Sequence, residues 1–144
     1  MSEIKLEARK GYVYNLTYHL AWCTMERQAV FTNDLRRDVL RDILFGIAAD
    51  KEFEIQKLAI EADHVHLVIS CRPQHCLSDL IKSLKGGSAK KLQIRLPELQ
   101  GDLQDSHIWD ASYLIIAGDP DISEVLQEYI ATQEKYRNRM RSKK

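Results

Sequence analysis

The spacing of hydrophobic positions changes period several times along the chain. In "YVYNLTYHLAWC", Tyr12, Tyr14, Leu16, Tyr18, Leu20 and Trp22 recur at every second position, which predicts one face of a single strand. "FTNDLRRDVLRDILFGIAAD" switches to helical spacing. Leu35, Val39, Leu40, Ile43, Leu44 and Ile47 form a stripe, and Thr32 or Asn33 can cap its N-terminus. "EFEIQKLAI" and "HVHLVIS" read as two strands joined by the tight link "EAD". "CLSDLIKSLKGGSAKKLQIRL" opens as a helix that Gly86 and Gly87 are expected to end or bend. "LPELQGDLQDSH" reads as loop, "SYLIIAG" as a strand, "GDPD" as a turn and "SEVLQEYIATQEKYRNRM" as a final helix.

The first six of these elements run strand, helix, strand, strand, helix, strand. That is the split βαβ plan, so the predicted class is α+β, ferredoxin-like or RRM-like: an antiparallel sheet with two helices on one face. The first and third strands are then central, which puts "HVHLVIS" mid-sheet. The last helix is additional. Residues 1–144 read as one domain ending in a basic tail over 135–144, with no internal repeat or low-complexity linker.

Composition narrows the class. Hydrophobic residues make up 44% of the chain, enough to build a folded core. No apolar run approaches the roughly 18 residues of a membrane span. "MSEIKLEARKGY" lacks an apolar signal core, and three cysteines without a Cys-x-x-Cys suit a reducing compartment, so the expected location is the cytoplasm. The 21 basic and 21 acidic residues cancel, which argues against indiscriminate coating of nucleic acid. Their distribution is uneven. Lys82, Lys85, Lys90, Lys91 and Arg95 collect around the second helix, and "KYRNRMRSKK", with Arg137 and Arg139, has six basic residues and no acidic one. Such patches fit a positioned nucleic-acid path; a solvated helix face and tail is the plainer alternative.

Two spacings carry candidate chemistry. His64 and His66 flank one valine, so on a strand both point to the same face, about 7 Å apart, and can converge on a divalent ion. An ordinary strand with incidental histidines is the alternative. In the last helix Tyr129 and Gln133 stand at i and i+4 on a face shared with apolar residues. A tyrosine there suits a core, whereas a buried glutamine amide needs partners. Tyr136, two turns beyond Tyr129, is a second candidate nucleophile. Asp63 is expected to make the turn before the histidines. His19, His75 and His107 read as surface or satisfied histidines. Cys71, His75 and Cys76 lack a fourth ligand at zinc spacing. Trp22 and Trp109 read as core or interface, with base stacking the sharper option.

Taken together, "YHLAWCT" followed by "AVFT", then "DHVHLVIS", "LIKSLKGGSAKKL", "HIWDASYLI" and "EYIATQ" resemble, in order, the blocks of the HUH single-tyrosine transposases of small bacterial insertion sequences. The resemblance covers most of the chain. It implies a homodimer that cleaves and rejoins single-stranded DNA with hairpin ends through a 5′-phosphotyrosine. It implies Tyr129 as nucleophile, His64 and His66 as metal ligands, and Gln133 completing the metal shell. In that family the nucleophile helix can serve the partner's histidines. Two imidazoles and an amide leave a divalent ion strongly electrophilic, and the expected ion is Mg²⁺ or Mn²⁺. The chain departs from the family pattern at "MERQ", at Ser112 where glycine is usual, at Asp110 or Ala111 where arginine is usual, and at "GDP".

Three rival readings remain at this level. A non-catalytic RRM-like nucleic-acid binder predicts exposed aromatics on the sheet, with Tyr12, Tyr14 and Tyr18 available. A two-histidine phosphoesterase needs two His-x-Ser/Thr motifs, and none occurs. An inactive or domesticated relative of the transposases would bind hairpin DNA without cutting it.

Overall fold

The computed structural model describes residues 4–102, 107–118 and 120–142, with residues 102 and 137–142 described by backbone alone. A small hairpin, β1 (Glu7–Arg9) and β2 (Tyr12–Tyr14), precedes the main sheet. The sheet contains β3 (Thr17–Cys23), β4 (Glu54–Ile60), β5 (His64–Ser70) and β6 (Leu114–Ala117). Its order is β4-β5-β3-β6 with every pairing antiparallel. This is the split βαβ arrangement, with the first and third strands of the sheet at its centre.

Side-chain alternation gives the sheet two unlike faces. Leu20, Trp22, Val65, Leu67 and Ile69 are buried on one. Against them lie α1 (Asp34–Asp50), through Val39, Leu40, Ile43, Leu44 and Ile47, and α2 (Leu77–Arg95), through Leu80, Ile81, Leu84 and Leu92. Asn33 caps α1 by accepting from Arg36 N at 2.9 Å, as its position before the apolar stripe predicts. Trp109 completes this core, stacked on Phe31 and edge-on to Trp22, and donates its indole N–H to Ser88 Oγ at 2.9 Å. Both tryptophans are thus core residues. The opposite face carries His19, Ala21 and Cys23 of β3 beside His64, His66 and Val68 of β5. It receives α4 (Ser123–Ser142), where Cys23, Tyr129 and Ile130 are buried together with Leu114 and Leu126 alongside.

Three expectations need correction. The alternating run from Tyr12 is divided between two sheets. Tyr12 and Tyr14 pair with β1 across a turn at Gly11 (φ 94°), and only from Thr17 does the chain join the main sheet. Tyr18 leans on the main core, so the aromatic platform required of an RRM-like binder is absent among the described residues. Gly86 and Gly87 neither end nor bend the second helix, because tertiary packing outweighs their low propensity: a Cβ on Gly87 would stand 3.2 Å from Ile47 Cδ1 of α1. Finally, Leu99–Asp102 forms a one-turn helix, α3, inside the segment read as loop. Of the predicted turn "GDPD", Asp119 lies outside the described residues.

A stability prediction follows from the two glycines. A Cβ on Gly86 meets nothing within 4 Å, so Gly86→Ala should stabilise the protein by about 0.5–1 kcal/mol through the entropy of the unfolded chain. Gly87→Ala should gain less, since Ile47 must yield. Urea denaturation of the two variants checks the ranking.

Candidate functional site

The central strands set the histidine geometry. In the β3–β5 register Cys23 stands opposite His64, Ala21 opposite His66 and His19 opposite Val68. His19 is therefore on the histidine face. Its Nδ1 lies 2.9 Å from His66 Nε2, with the rings stacked at 5.1 Å between centroids. Burial, followed by the nearby His19, His64 and Lys57, lowers the His66 imidazole below its ordinary range, favouring the neutral ring that a metal requires. His64 Nδ1 is 2.8 Å from Asp63 Oδ1, and Asp63 Oδ2 is 3.5 Å from Arg27 Nε. Asp63 does make the turn, as expected, but its carboxylate also engages the first histidine.

Beside this face α4 brings its own cluster. Tyr129 Oη is 2.8 Å from Ser112 Oγ, and Ser112 donates to Asp110 Oδ2 through both its hydroxyl (2.8 Å) and its backbone N–H (3.0 Å). With its amide oriented to suit the carboxylate, Gln133 donates to Asp110 Oδ2 at 2.9 Å. Tyr129 and Gln133 are 5% and 2% exposed, so both polar groups are satisfied inside the protein. Burial holds the Tyr129 phenol above its ordinary range, the Ser112 hydrogen bond working the other way. Thr132, at φ −126°, interrupts the helix between them, and its hydroxyl donates to Glu128 O at 2.8 Å. Tyr136 lies beside Tyr129 with its ring tilted by 31°, 6.0 Å between centroids, and is exposed.

The predicted residues are thus brought together in two groups. His64 and His66 share a face. Tyr129 and Gln133 share the Asp110–Ser112 cluster, and the Gln133 amide is turned to Asp110 rather than to the histidines. Among the described residues no three His, Cys, Asp or Glu side chains converge as a metal site. The donors fit a divalent ion in part: two neutral-capable imidazoles on one face, with Nδ1 of His64 and Nε2 of His66 already engaged. Between the histidine face and the start of α4 lies a cleft of about 600 Å³, lined by His19, Lys57 and His66 from the sheet and by Asp121, Ser123 and Gln127 opposite.

Of the basic residues proposed for a nucleic-acid path, Lys82, Lys90 and Lys91 are exposed. Arg95 is exposed and pairs with Asp42 at 2.8 Å. The side chains of Arg137 and Arg139 lie outside the described residues. Lys85 must be reassigned. Its ammonium turns inward and donates to the carbonyls of Asp110 (2.6 Å) and Ser112 (2.9 Å), clamping the loop that holds Tyr129. Its spacing was a signal: Lys85 follows Ile81 by one turn and sits between the buried Leu84 and Ser88. His19 was equally findable. With Leu20 and Trp22 on the core side, strand parity puts His19 on the histidine side.

Burial lowers Lys85 to about 8, with Asp110 and Cys23 opposing. The unfolded amine holds its proton to about 10.5. Between these values the unfolded chain binds a proton that the folded chain has released, so this group makes stability rise with pH. Cys23 opposes it above about pH 9, since burial pushes its thiol up to about 12 and the folded chain then keeps the extra proton. Comparison with Lys85→Met isolates the lysine: the stability difference should move in favour of wild type from about pH 8 to about pH 10. A difference independent of pH would show that Lys85 is solvated.

The chain belongs to the family described as IS200-like transposases, whose sequence profile matches residues 12–133, a span that takes in the mid-sheet His-x-His pair and Tyr129. Among its relatives, the ISDra2 transposase TnpA of Deinococcus radiodurans is 36% identical over 130 residues, covering 90% of this chain and 92% of that protein. The transposase of insertion sequence IS200 from Salmonella typhimurium is 25% identical over 120 residues, covering 83% of this chain and 78% of its own. A crystal structure of a Deinococcus radiodurans protein described as a transposase superposes with a TM-score of 0.82 at 35% identity, covering 88% of this chain and 97% of that one. A REP-associated tyrosine transposase bound to a REP hairpin shares the fold, with a TM-score of 0.53 at 16% identity over 84% of this chain and 67% of its own. No described helix is long and apolar enough to cross a membrane.

Proposed function

We propose that this transposase cuts and rejoins single-stranded DNA with hairpin ends through a 5′-phosphotyrosine at Tyr129. The observation that carries the reading is that the helix bearing Tyr129 lies on the sheet face that presents His64 and His66. The resemblance of the sequence blocks and the hairpin bound by a relative of the same fold support the substrate.

The phenolic oxygen attacks the scissile phosphorus. The bond to the 3′ oxygen breaks, and that oxygen leaves as a 3′ hydroxyl once protonated. Rejoining reverses these steps, with a 3′ hydroxyl attacking the phosphotyrosine and the phenol restored, so no external energy source is required. His64 and His66 would hold a divalent ion, Mg²⁺ or Mn²⁺, with Gln133 joining once its amide leaves Asp110. When bound there, such an ion would supply positive charge to offset that of the phosphate oxygens. Lys57, in the cleft beside His66, is placed to offset phosphate charge. Because Tyr129 is buried, α4 must move off Ser112 before a DNA backbone can meet the phenol. Gly118, at φ 85°, stands between β6 and that helix as a point of rotation. We further propose that the protein acts as a homodimer.

Incubation with labelled single-stranded hairpin DNA and Mn²⁺ should yield a covalent adduct that survives denaturing electrophoresis. A second reading, a relative that binds hairpin DNA without cutting it, draws on the engagement of both Tyr129 and Gln133 by Asp110 and Ser112. Binding without adduct across hairpin substrates would favour it.

A further inference from the structure

We infer that Asp63 is a positioning residue that fixes the ring of His64 and the tautomer in which its Nε2 is a free donor for a divalent cation. The inference rests on the reading of His64 as a metal ligand. A carboxylate only accepts hydrogen bonds, so the 2.8 Å contact between Asp63 Oδ1 and His64 Nδ1 places the proton on Nδ1. In the neutral ring the lone pair then resides on Nε2.

The carboxylate is itself held. Arg27 Nε approaches Asp63 Oδ2 at 3.5 Å, and the side chains of Asp63 and His64 are only 25% and 16% exposed. The backbone of the turn is strapped from the segment that follows β3. Thr24 N–H and Thr24 Oγ1 donate to Asp63 O at 2.9 and 3.2 Å, and Val30 and Phe31 N–H both donate to Ala62 O. Arg27 reaches Asp63 from a single 3₁₀ turn, Met25–Arg27, in which Glu26 (φ 57°) and Arg27 (φ 52°) both adopt the left-handed conformation that side chains disfavour. The chain thus accepts an unfavourable local geometry where it delivers the guanidinium.

The chemistry suits a cation. His64, His66 and Gln133 carry no negative charge as ligands. A carboxylate hydrogen-bonded behind one imidazole orients that ring and adds a negative charge near the ion without occupying a coordination position. His66 has a different neighbour, the ring of His19, so the two histidines are unequal and Asp63 acts on only one of them.

The test uses two readouts on the full chain. In the metal-free protein, imidazole nitrogen NMR should place the His64 proton on Nδ1 in wild type. It should shift towards Nε2 in Asp63→Ala and stay on Nδ1 in Asp63→Asn, whose amide oxygen accepts the same N–H. Mn²⁺ titration should show affinity about 10–100-fold weaker in Asp63→Ala and within a few-fold of wild type in Asp63→Asn. Because the turn is held through the Asp63 carbonyl, which both variants retain, the fold is expected to persist; the asparagine variant controls for its loss. If wild type binds Mn²⁺ through His64 and Asp63→Ala binds equally well with its tautomer unchanged, the inference is overturned while the metal reading stands. A wild type that binds no Mn²⁺, or whose binding survives His64→Ala, overturns the metal reading and this inference with it.

Discussion

Tyr129→Phe should reduce covalent adduct formation with single-stranded DNA to background while leaving DNA binding intact. The change removes one oxygen. Tyr129 packs with Cys23 and Ile130 through its ring, which phenylalanine preserves, so the cost to folding is the hydrogen bond to Ser112, about 1 kcal/mol. Catalysis loses the attacking atom itself, and no neighbouring oxygen can replace it without rearrangement: Ser112 is bonded to Asp110 behind the phenol. Tyr136 is the other candidate. It is exposed and 6.0 Å away ring to ring, so Tyr136→Phe should leave adduct formation within a few-fold of wild type. Parallel adduct assays and thermal melts of the two variants separate chemistry from folding.

The double variant His64→Ala, His66→Ala should lose Mn²⁺ binding and, with it, on the order of a hundredfold or more of cleavage, since removal of ligands costs more than removal of the groups behind them. Both rings are half-buried on the sheet, and the His66 ring stacks on His19, so alanine leaves space there rather than a clash. Backbone pairing of β5 with β3 and β4 does not depend on these side chains. Calorimetric titration with Mn²⁺ measures the first effect and adduct yield the second. Unchanged Mn²⁺ affinity in the double variant would remove the histidines from the metal site.

The elements that position this site were legible because their apolar residues answer to one neighbour each. Val39, Leu40, Ile43, Leu44 and Ile47 recur at helical spacing since α1 meets a single sheet face. The parity of His64 and His66 against Val65, Leu67 and Ile69 separates the two faces of β5. What was not legible depends on contacts between distant segments. The Tyr12–Tyr14 alternation is that of a strand, and nothing in its period tells which sheet it joins. Gly86 and Gly87 break a helix by propensity, but the approach of Ile47 keeps α2 continuous. Asp110 and Ser112 look like loop residues, and their service to Tyr129 and Gln133 exists only once α4 has folded back across β3. Asp63 is a turn former by sequence, and that local role is real; its contact with His64 is braced by Arg27, which comes from the distant segment after β3. By charge Lys85 groups with the surface lysines, yet its helical position points inward, and its ammonium is bonded to the carbonyls of Asp110 and Ser112.

The proposed strand transfer requires Tyr129 to carry the DNA. Digesting the purified adduct with protease and nuclease, then sequencing the nucleotide-bearing peptide by mass spectrometry, tests it most directly. A phosphonucleotide on Tyr129 is expected. A nucleotide on Tyr136, or on any residue other than Tyr129, would contradict it.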